Sequence, residues 1–599
     1  MQNLKKISSL LSNQDRFRAI LLLGMSLIMA LIEMAGVASI LPFIALLTNP
    51  QIIETNIILS NVYQTAKNFG IESQQQFLIA TGFFVFLLII TSMFFKALTT
   101  YTQIHFIQNC QYNISIRLIK GYLYQPYSWF LNHNGSILGK SILVEVNNVV
   151  NKGLTPLINL ITNFFIILSL FILLLITDPK LTSIAFITFS LFYGFVFKFN
   201  HNFLGKIGKE VFKATADRYK ISSEAFSAFK EIKIGELEET YINQFSNPSK
   251  RYAKNTALLS VLNEIPRYTL EAVTFGGMLL IILSFMTITG DITKILPIIG
   301  LFAFAGYRLI PAMQKIYSSF TFLRFVGPTI DSLYSDIKNI KPIIKTQKEY
   351  KNTLKLNKNI CLKNIYYSYP NTSKTTLKNI NLNIPANKTV GLVGATGSGK
   401  TTTIDIILGL LEAQKGTLEI DGKIINSQNK RAWQRSVGYV PQQIFLSDNT
   451  VSANIAFGVN KNDINQASVE YAAKIANLHD FVENDLPLKY QTIIGERGVR
   501  LSGGQRQRIG IARALYQKPK VLVLDEATSA LDSLTEKTVM KAVHNSGDNI
   551  TKILVAHRLS TVKDCDIIFL FDKGELNKQG TFEELMNISD DFRESVKNS

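Results

Sequence analysis

Cysteine is nearly missing from this sequence. Cys110, Cys361 and Cys565 lie far apart without CxxC spacing, which supports neither a disulfide framework nor a zinc site. Three ordinary reduced thiols are the simpler reading. Acidic residues are also short, 44 Asp and Glu against 63 Lys and Arg, leaving a formal charge of +19. Such a surplus could serve nucleic acid, yet it sits largely beside apolar segments, where positive residues hold a membrane protein's cytoplasmic face. Nucleic-acid binding is therefore not expected. A cleavable leader is missing too: MQNLKKISSLLSNQDRFR is long and polar before the first apolar run, and no small-residue cleavage site follows, so that run is expected to remain as a span. The N-terminal part lacks charge over long stretches. From about Lys338 onward charges, glycines and short apolar runs alternate as in a soluble α/β domain. At 599 residues the chain exceeds what one core organises. The expected division is a membrane part over 1–337, a linker over 338–355 and a soluble α/β part over 356–599.

Six apolar stretches are long enough to cross roughly 30 Å of hydrocarbon, at about 19–47, 77–100, 157–176, 181–199, 270–289 and 292–316. Lys5, Lys6, Arg16 and Arg18 precede the first, and Lys198, Lys206, Lys209, Lys213, Arg218 and Lys220 follow the fourth. The outer links are poor in such residues, which predicts a cytoplasmic N-terminus and a cytoplasmic soluble domain in a multi-pass protein of the inner, cytoplasmic membrane. Long polar helical stretches separate spans two from three and four from five. They would carry YSWFLNHN (127–134) and SSEAFSAFKEIK (222–233) into the cytosol, either to dock on the soluble domain or to stand as solvated helices.

The soluble part holds GATGSGKT at 394–401, between an apolar strand and a helix pattern. This is the GxxxxGK[ST] phosphate loop in its required context. Gly394, Ala395, Thr396, Gly397, Ser398, Gly399, Lys400, Thr401 and Thr402 are expected to bind ATP. Backbone N–H groups and a helix N-terminus would cradle the phosphates, Lys400 would neutralise the β/γ oxygens, and Thr401 would hold Mg²⁺. VLVLDE (521–526) is a strand delivering two acids: Asp525 suits the magnesium shell, and Glu526 suits the base that orients the attacking water. Two acids there could also simply cap the next helix; with Lys400 present they complete a P-loop ATPase.

LSGGQ (501–505), ahead of the Arg-rich run RQRIGIARAL, resembles the signature of the ABC transporters. That resemblance implies a six-helix all-α transmembrane domain of ABC exporter type fused to an α/β P-loop ABC nucleotide-binding domain. It also implies that Ser502, Gly503, Gly504 and Gln505 close over ATP held by the opposing subunit, making a dimer part of the active site. Further landmarks follow in order. Tyr369 in YSYP resembles the residue stacking on adenine, Gln442 in YVPQQ the glutamine contacting Mg²⁺ and water, and IGERG (494–498) the loop touching the membrane domain. SALD (529–532) resembles the loop at the dimer seam, and His557 the switch histidine on the γ-phosphate. No motif of the cycle is degenerate, so a homodimer with two working sites is expected.

Cargo is written less plainly. Ionisable residues inside spans are costly and face a cavity or a partner: Glu33, Lys96, Arg267, Glu271 and Arg308. Lys96, Arg267 and Arg308 could attract an anionic head group. Equally, Arg308 could pair with Glu33 or Glu271, and Lys96 could snorkel to the interface. The segments LIEMAGVASILPFIALL (31–47), EIPRYTLEAVTF (264–275) and AGYRLIPAMQKI (305–316) resemble the bacterial flippases of lipid-linked oligosaccharides used in protein N-glycosylation. This implies a membrane lipid, a polyprenyl-pyrophosphate-linked glycan, as substrate, with Lys96, Arg267 and Arg308 near the pyrophosphate. Residues 50–70 read as a short helix on the outer surface that would meet the lipid tail or cap the bundle. No peptidase-like region precedes the first span. Two other readings stay open: an exporter of another amphipathic lipid, drug or peptide, and an ATP-gated channel or regulator.

Overall fold

The computed structural model describes residues 2–340 and 353–597, apart from 69, 72, 290–295, 371, 373, 496, 497, 499, 500, 527–534, 537, 540, 543–549, 557 and 558. The chain forms two compact units, one of residues 1–125 and 133–343, the other of residues 126–132 and 344–599. Most of the linker expected at 338–355, residues 341–352, lies outside the described residues.

The first unit is helical. It contains α1 (Gln2–Leu10), α2 (Asn13–Ala38), α3 (Ile40–Thr48), α4 (Ile57–Lys67) and α5 (Gln74–Leu123). The expected first span is two helices rather than one, broken at Ser39. Pro42, three residues on, has no N–H to donate back to Ala38, so a new helix starts there with the proline in its first turn. Ser12 starts α2 with a reciprocal capping box to Asp15, and Ser73 does the same for α5 with Gln76. The short α6 (Tyr127–Phe130) groups with the second unit. The first unit resumes with α7 (Gly135–Thr177), α8 (Pro179–Ser227), α9 (Phe229–Ile234), α10 (Glu238–Thr289), α11 (Leu296–Phe325) and α12 (Gly327–Asn339). Among the described residues, three helical stretches are long and apolar enough to cross a membrane: 13–48, 74–123 and 135–177. Met29, Ala30 and Val37 of α2, Ile166, Leu170 and Leu174 of α7, and Leu301, Ala305 and Ala312 of α11 form one buried cluster. In a bilayer such packing rests on close fit rather than on escape from water.

Helix α7 is not uniformly α. Residues Ser141–Glu145 and Val150–Leu154 each make a π-turn. Lys140 Nζ meets Glu145 Oε1 at 2.7 Å, with both side chains 4% exposed. At 3.6 residues per turn, residues five apart stand about 140° apart around the axis. The i→i+5 turn brings them onto one face. Ser332 of α12 and Ser141 donate to the other oxygen of Glu145 at 3.3 and 3.5 Å, and Tyr122 donates to Asp336 of α12 at 2.9 Å.

The second unit is α/β. An antiparallel sheet has the order β2 (Leu377–Pro385), β1 (Asn359–Tyr367), β4 (Lys415–Ile420), β5 (Lys423–Ile424). A six-stranded sheet has the order β10 (Glu575–Gly580), β9 (Ile567–Asp572), β3 (Thr389–Gly394), β8 (Thr551–Val555), β7 (Val521–Asp525), β6 (Val437–Val440), parallel except for β10. Strands β7 and β8 are buried at every position, as expected where helices cover both faces of a parallel sheet. Helix α13 (Lys400–Ile407) follows β3, and α14 (Val451–Ile455), α15 (Gln466–Ile475) and α16 (Gly503–Tyr516) pack as a helical subdomain. Trp433 is fully buried, its indole N–H donating to Ile407 O at 2.7 Å.

Candidate functional site

Ligands of open parallel sheets sit beyond the carboxyl ends of the strands. Here the ends of β3 and β7 flank that of β8. The first carries Gly394 and the phosphate loop, the second Asp525, with Glu526 one residue on. The loop's shape depends on glycine. Gly394 has φ +153°, and a Cβ there would stand 2.2 Å from Phe571 O; Gly399 has φ +104° and leads into α13. Both demand backbone that L side chains rarely adopt.

Lys400 is buried and donates to the carbonyls of Gly394 and Ala395 at 2.7 and 3.0 Å. Burial lowers its pKa, and the nearby charges of Glu526 and Asp525 oppose that shift. Ser398, also buried, has a hydroxyl oxygen with no hydrogen-bond partner. An orphaned hydroxyl beside a lysine at a helix N-terminus fits a phosphate acceptor. Tyr369 reaches Thr402, hydroxyl to hydroxyl at 3.1 Å, and packs edge-on against Tyr367. Gln442 donates to Glu526 Oε2 at 2.7 Å. Glu526 itself sits at φ +49°, a left-handed conformation uncommon outside glycine and strained for this residue type. Thr401, Gln442 and Asp525 offer hard oxygen donors of the kind Mg²⁺ takes.

Two contributors escaped the sequence reading. Tyr439, on β6, donates to Asp525 Oδ2 at 3.5 Å, and its place three residues before Gln442 on an alternating strand was the available signal. Asp405, on α13, is buried close enough to Asp525 to feel its charge. Burial first and then Asp525 push its carboxyl up to about 6. Tyr127 of α6 is pushed up by burial, then by Asp405 and Tyr369. The signature residues are placed differently. Ser502 caps α16, accepting from Gln505 N at 3.2 Å while Gln505 Oε1 accepts from Ser502 N at 2.8 Å. Ser502 and Gly503 are exposed, with Gly504 half-buried behind them. His557, the loop 529–532 and part of IGERG (496 and 497) lie outside the described residues.

In the first unit, Lys96 Nζ and Arg308 Nη1 meet the same oxygen of Glu33, Oε1, at 3.1 and 3.3 Å. Arg267 stands apart from them. It is exposed and pairs with Glu271 one turn along its own helix at 2.9 Å, so the three cations considered together in the sequence do not form one group. Lys315 was not singled out there; it stands seven residues beyond Arg308 on α11, two turns along the same helix face.

Residues 377–529 match the ABC transporter family, and residues 26–307 match the ABC transporter transmembrane region. The chain is an ABC transporter with its membrane region and ATPase in one polypeptide. ATP hydrolysis coupled to transport is its reaction class. The transporter is 32% identical over 376 residues to heavy metal tolerance factor 1 of Caenorhabditis elegans, a match covering 61% of this chain and 45% of that one. It is thus matched to less than half the length of that relative. It is 28% identical to the ATP-dependent lipid A-core flippase of Ralstonia nicotianae, over 79% of this chain and 80% of that one. A solved bacterial Atm1-family ABC exporter with ATP bound shares the fold, with a TM-score of 0.78 and 20% identity over 98% of this chain and 99% of that one.

Proposed function

We propose that the transporter is a homodimeric flippase that uses ATP to move a lipid-linked oligosaccharide, or a related polyprenyl-pyrophosphate glycan, across the cytoplasmic membrane. The observation that carries the cargo is the pairing of Lys96 and Arg308 on one buried carboxylate, Glu33, within the membrane region. Two cations held side by side suit a phosphate-bearing head group. Arg267, exposed at the start of the fifth expected span, meets the same head group at a separate point. A relative named for flipping lipid A-core supports a lipid cargo. The outer-link helix α4, with Ile57 and Val62 exposed, offers an apolar face to the lipid tail.

In the ATPase, the phosphate-loop residues 394–402 wrap the phosphates, Lys400 leaves its loop carbonyls for the β/γ oxygens, and Ser398 gains the partner it lacks. Tyr369 stacks on the adenine. Thr401, Gln442 and Asp525 would hold Mg²⁺, which supplies charge neutralisation of the phosphates. Gln442 and Glu526, already hydrogen-bonded, position the water and take up its proton, and His557 holds the γ-phosphate. Ser502, Gly503, Gly504 and Gln505 act on the nucleotide of the other subunit, which accounts for their solvent-facing turn.

The test is reconstitution in proteoliposomes with a fluorescent polyprenyl-pyrophosphate glycan. ATP-dependent translocation is expected in the wild type and is lost in Glu526→Gln with ATP still bound. Undiminished translocation in that variant sinks the mechanism. ATPase stimulation by another amphipathic lipid, drug or peptide but not by the glycan lipid reassigns the cargo.

A further inference from the structure

Glu33 is 3% exposed, whereas its partners Arg308 and Lys96 are 21% and 37% exposed. The carboxylate thus sits behind the cations, and the cationic heads face outward from it. Both cations converge on Oε1, while Oε2 is buried and has no hydrogen-bond partner. A permanent structural ion pair gains most when both oxygens are engaged, as in a fork-to-fork arginine pair. Here Arg308 spends one nitrogen on Glu33, and its other terminal nitrogen reaches only Met93 Sδ at 4.0 Å. Lys315, two turns beyond Arg308 on the same face of α11, adds a third cation to that side of the helix. The cluster carries an excess of positive charge, and its donors are incompletely used.

We propose that Glu33 is a resident counter-ion that preloads Lys96 and Arg308 as an anion subsite and is exchanged for the substrate's phosphate. With no substrate, Glu33 offsets one of the two positive charges and holds both heads around one oxygen. An arriving phosphate-type anion has more oxygens and more charge than a carboxylate, takes over both cations and recruits Lys315. When the head group leaves, Glu33 closes on the cations again, which keeps the anion from being held too tightly to release. This inference rests on the reading of an anionic lipid cargo and adds to it a release device and the participation of Lys315.

The experiment measures binding of farnesyl pyrophosphate to the purified full-length dimer in nanodiscs, with farnesol as the uncharged control, alongside ATPase stimulation by the same compounds. Glu33→Gln keeps the shape and removes the competing charge. It is expected to tighten farnesyl pyrophosphate binding about tenfold, within the usual range of coupling between sites, and to lower the maximal stimulated rate, since release slows. Lys315→Ala should weaken binding, and Glu33→Asp, which keeps the charge, should lie close to wild type. That rescue separates exchange from a role in folding. Unchanged or weaker binding in Glu33→Gln, with wild-type binding intact, overturns the exchange while leaving the cargo reading standing. Failure of wild type and all variants to distinguish farnesyl pyrophosphate from farnesol removes the cargo reading and the exchange with it.

Discussion

Replacing Lys140 by Met tests the π-turn and its ion pair together. The substitution keeps most of the apolar stem but removes the ammonium, which also stands over the Phe212 ring, 4.7 Å from its centroid. Glu145 would stay 4% exposed with only the two serine hydroxyls at 3.3 and 3.5 Å, both long for bonds to a carboxylate. Removing one member of a buried pair costs about 3–5 kcal/mol, because the remaining charge is left uncompensated. Glu145→Gln in the same background removes that charge, so the double variant should return to within about 1 kcal/mol of wild type. Trp129 and Trp433 both belong to the second unit, so tryptophan fluorescence would miss the effect. Cys110 is fully buried in the first unit. With Cys361 and Cys565 replaced, a thiol-reactive dye reports opening of that unit alone. Lys140→Met should lower the temperature of half-labelling by at least ~5 °C, and the double variant should restore it. An unchanged midpoint in the single variant, or a double variant as weak as the single, refutes the reasoning.

Asp405 gives a pH signature in the second unit. Its carboxyl is raised from 3.8 to about 6, by burial first and Asp525 second, so the folded state keeps a proton that the unfolded chain has lost. Stability therefore falls as pH rises from about 4 to about 6, by roughly 3 kcal/mol in all. Asp405→Asn should abolish that slope when melting is followed by Trp433 fluorescence at pH 5 and pH 7.5. Burial holds the Cys565 thiol up at about 12, far from reactive thiolate, and Cys110 is fully buried. Mild alkylation at pH 8 should modify Cys361 alone, and denaturant should expose the other two, as read by mass spectrometry.

The ATPase centre was legible because its chemistry is contiguous in the chain: GATGSGKT and VLVLDE name their strands, loop and roles by spacing alone. Family order put Gln442 and Glu526 at the same water, but neither the bond between them nor the left-handed backbone at Glu526, which no glycine marks, was written in the sequence. Asp405 was hidden inside an ordinary helical pattern, and only the fold brings it near Asp525. In the membrane unit, pairing of Arg308 with Glu33 was one of several alternatives open in the sequence. That Lys96 shares the same oxygen depends on how α2, α5 and α11 approach one another, which hydropathy does not encode. The π-turns of α7 were invisible for a related reason: one added residue per turn barely alters an apolar periodicity.

Those turns also set where the chain tolerates a change of length. Each takes up one residue more than an α-turn would. Deleting one residue within 141–145 would let that turn close as α and leave Ile166 and Leu170 still facing Met29 and Leu301. The same deletion in Gly135–Thr177 outside the two π-turns would swing everything beyond it by about 100° around the helix axis. The spare residue at the Lys140–Glu145 pair is thus a point of slack, where the N-terminal end of the helix can lose a residue without turning the buried face beyond it.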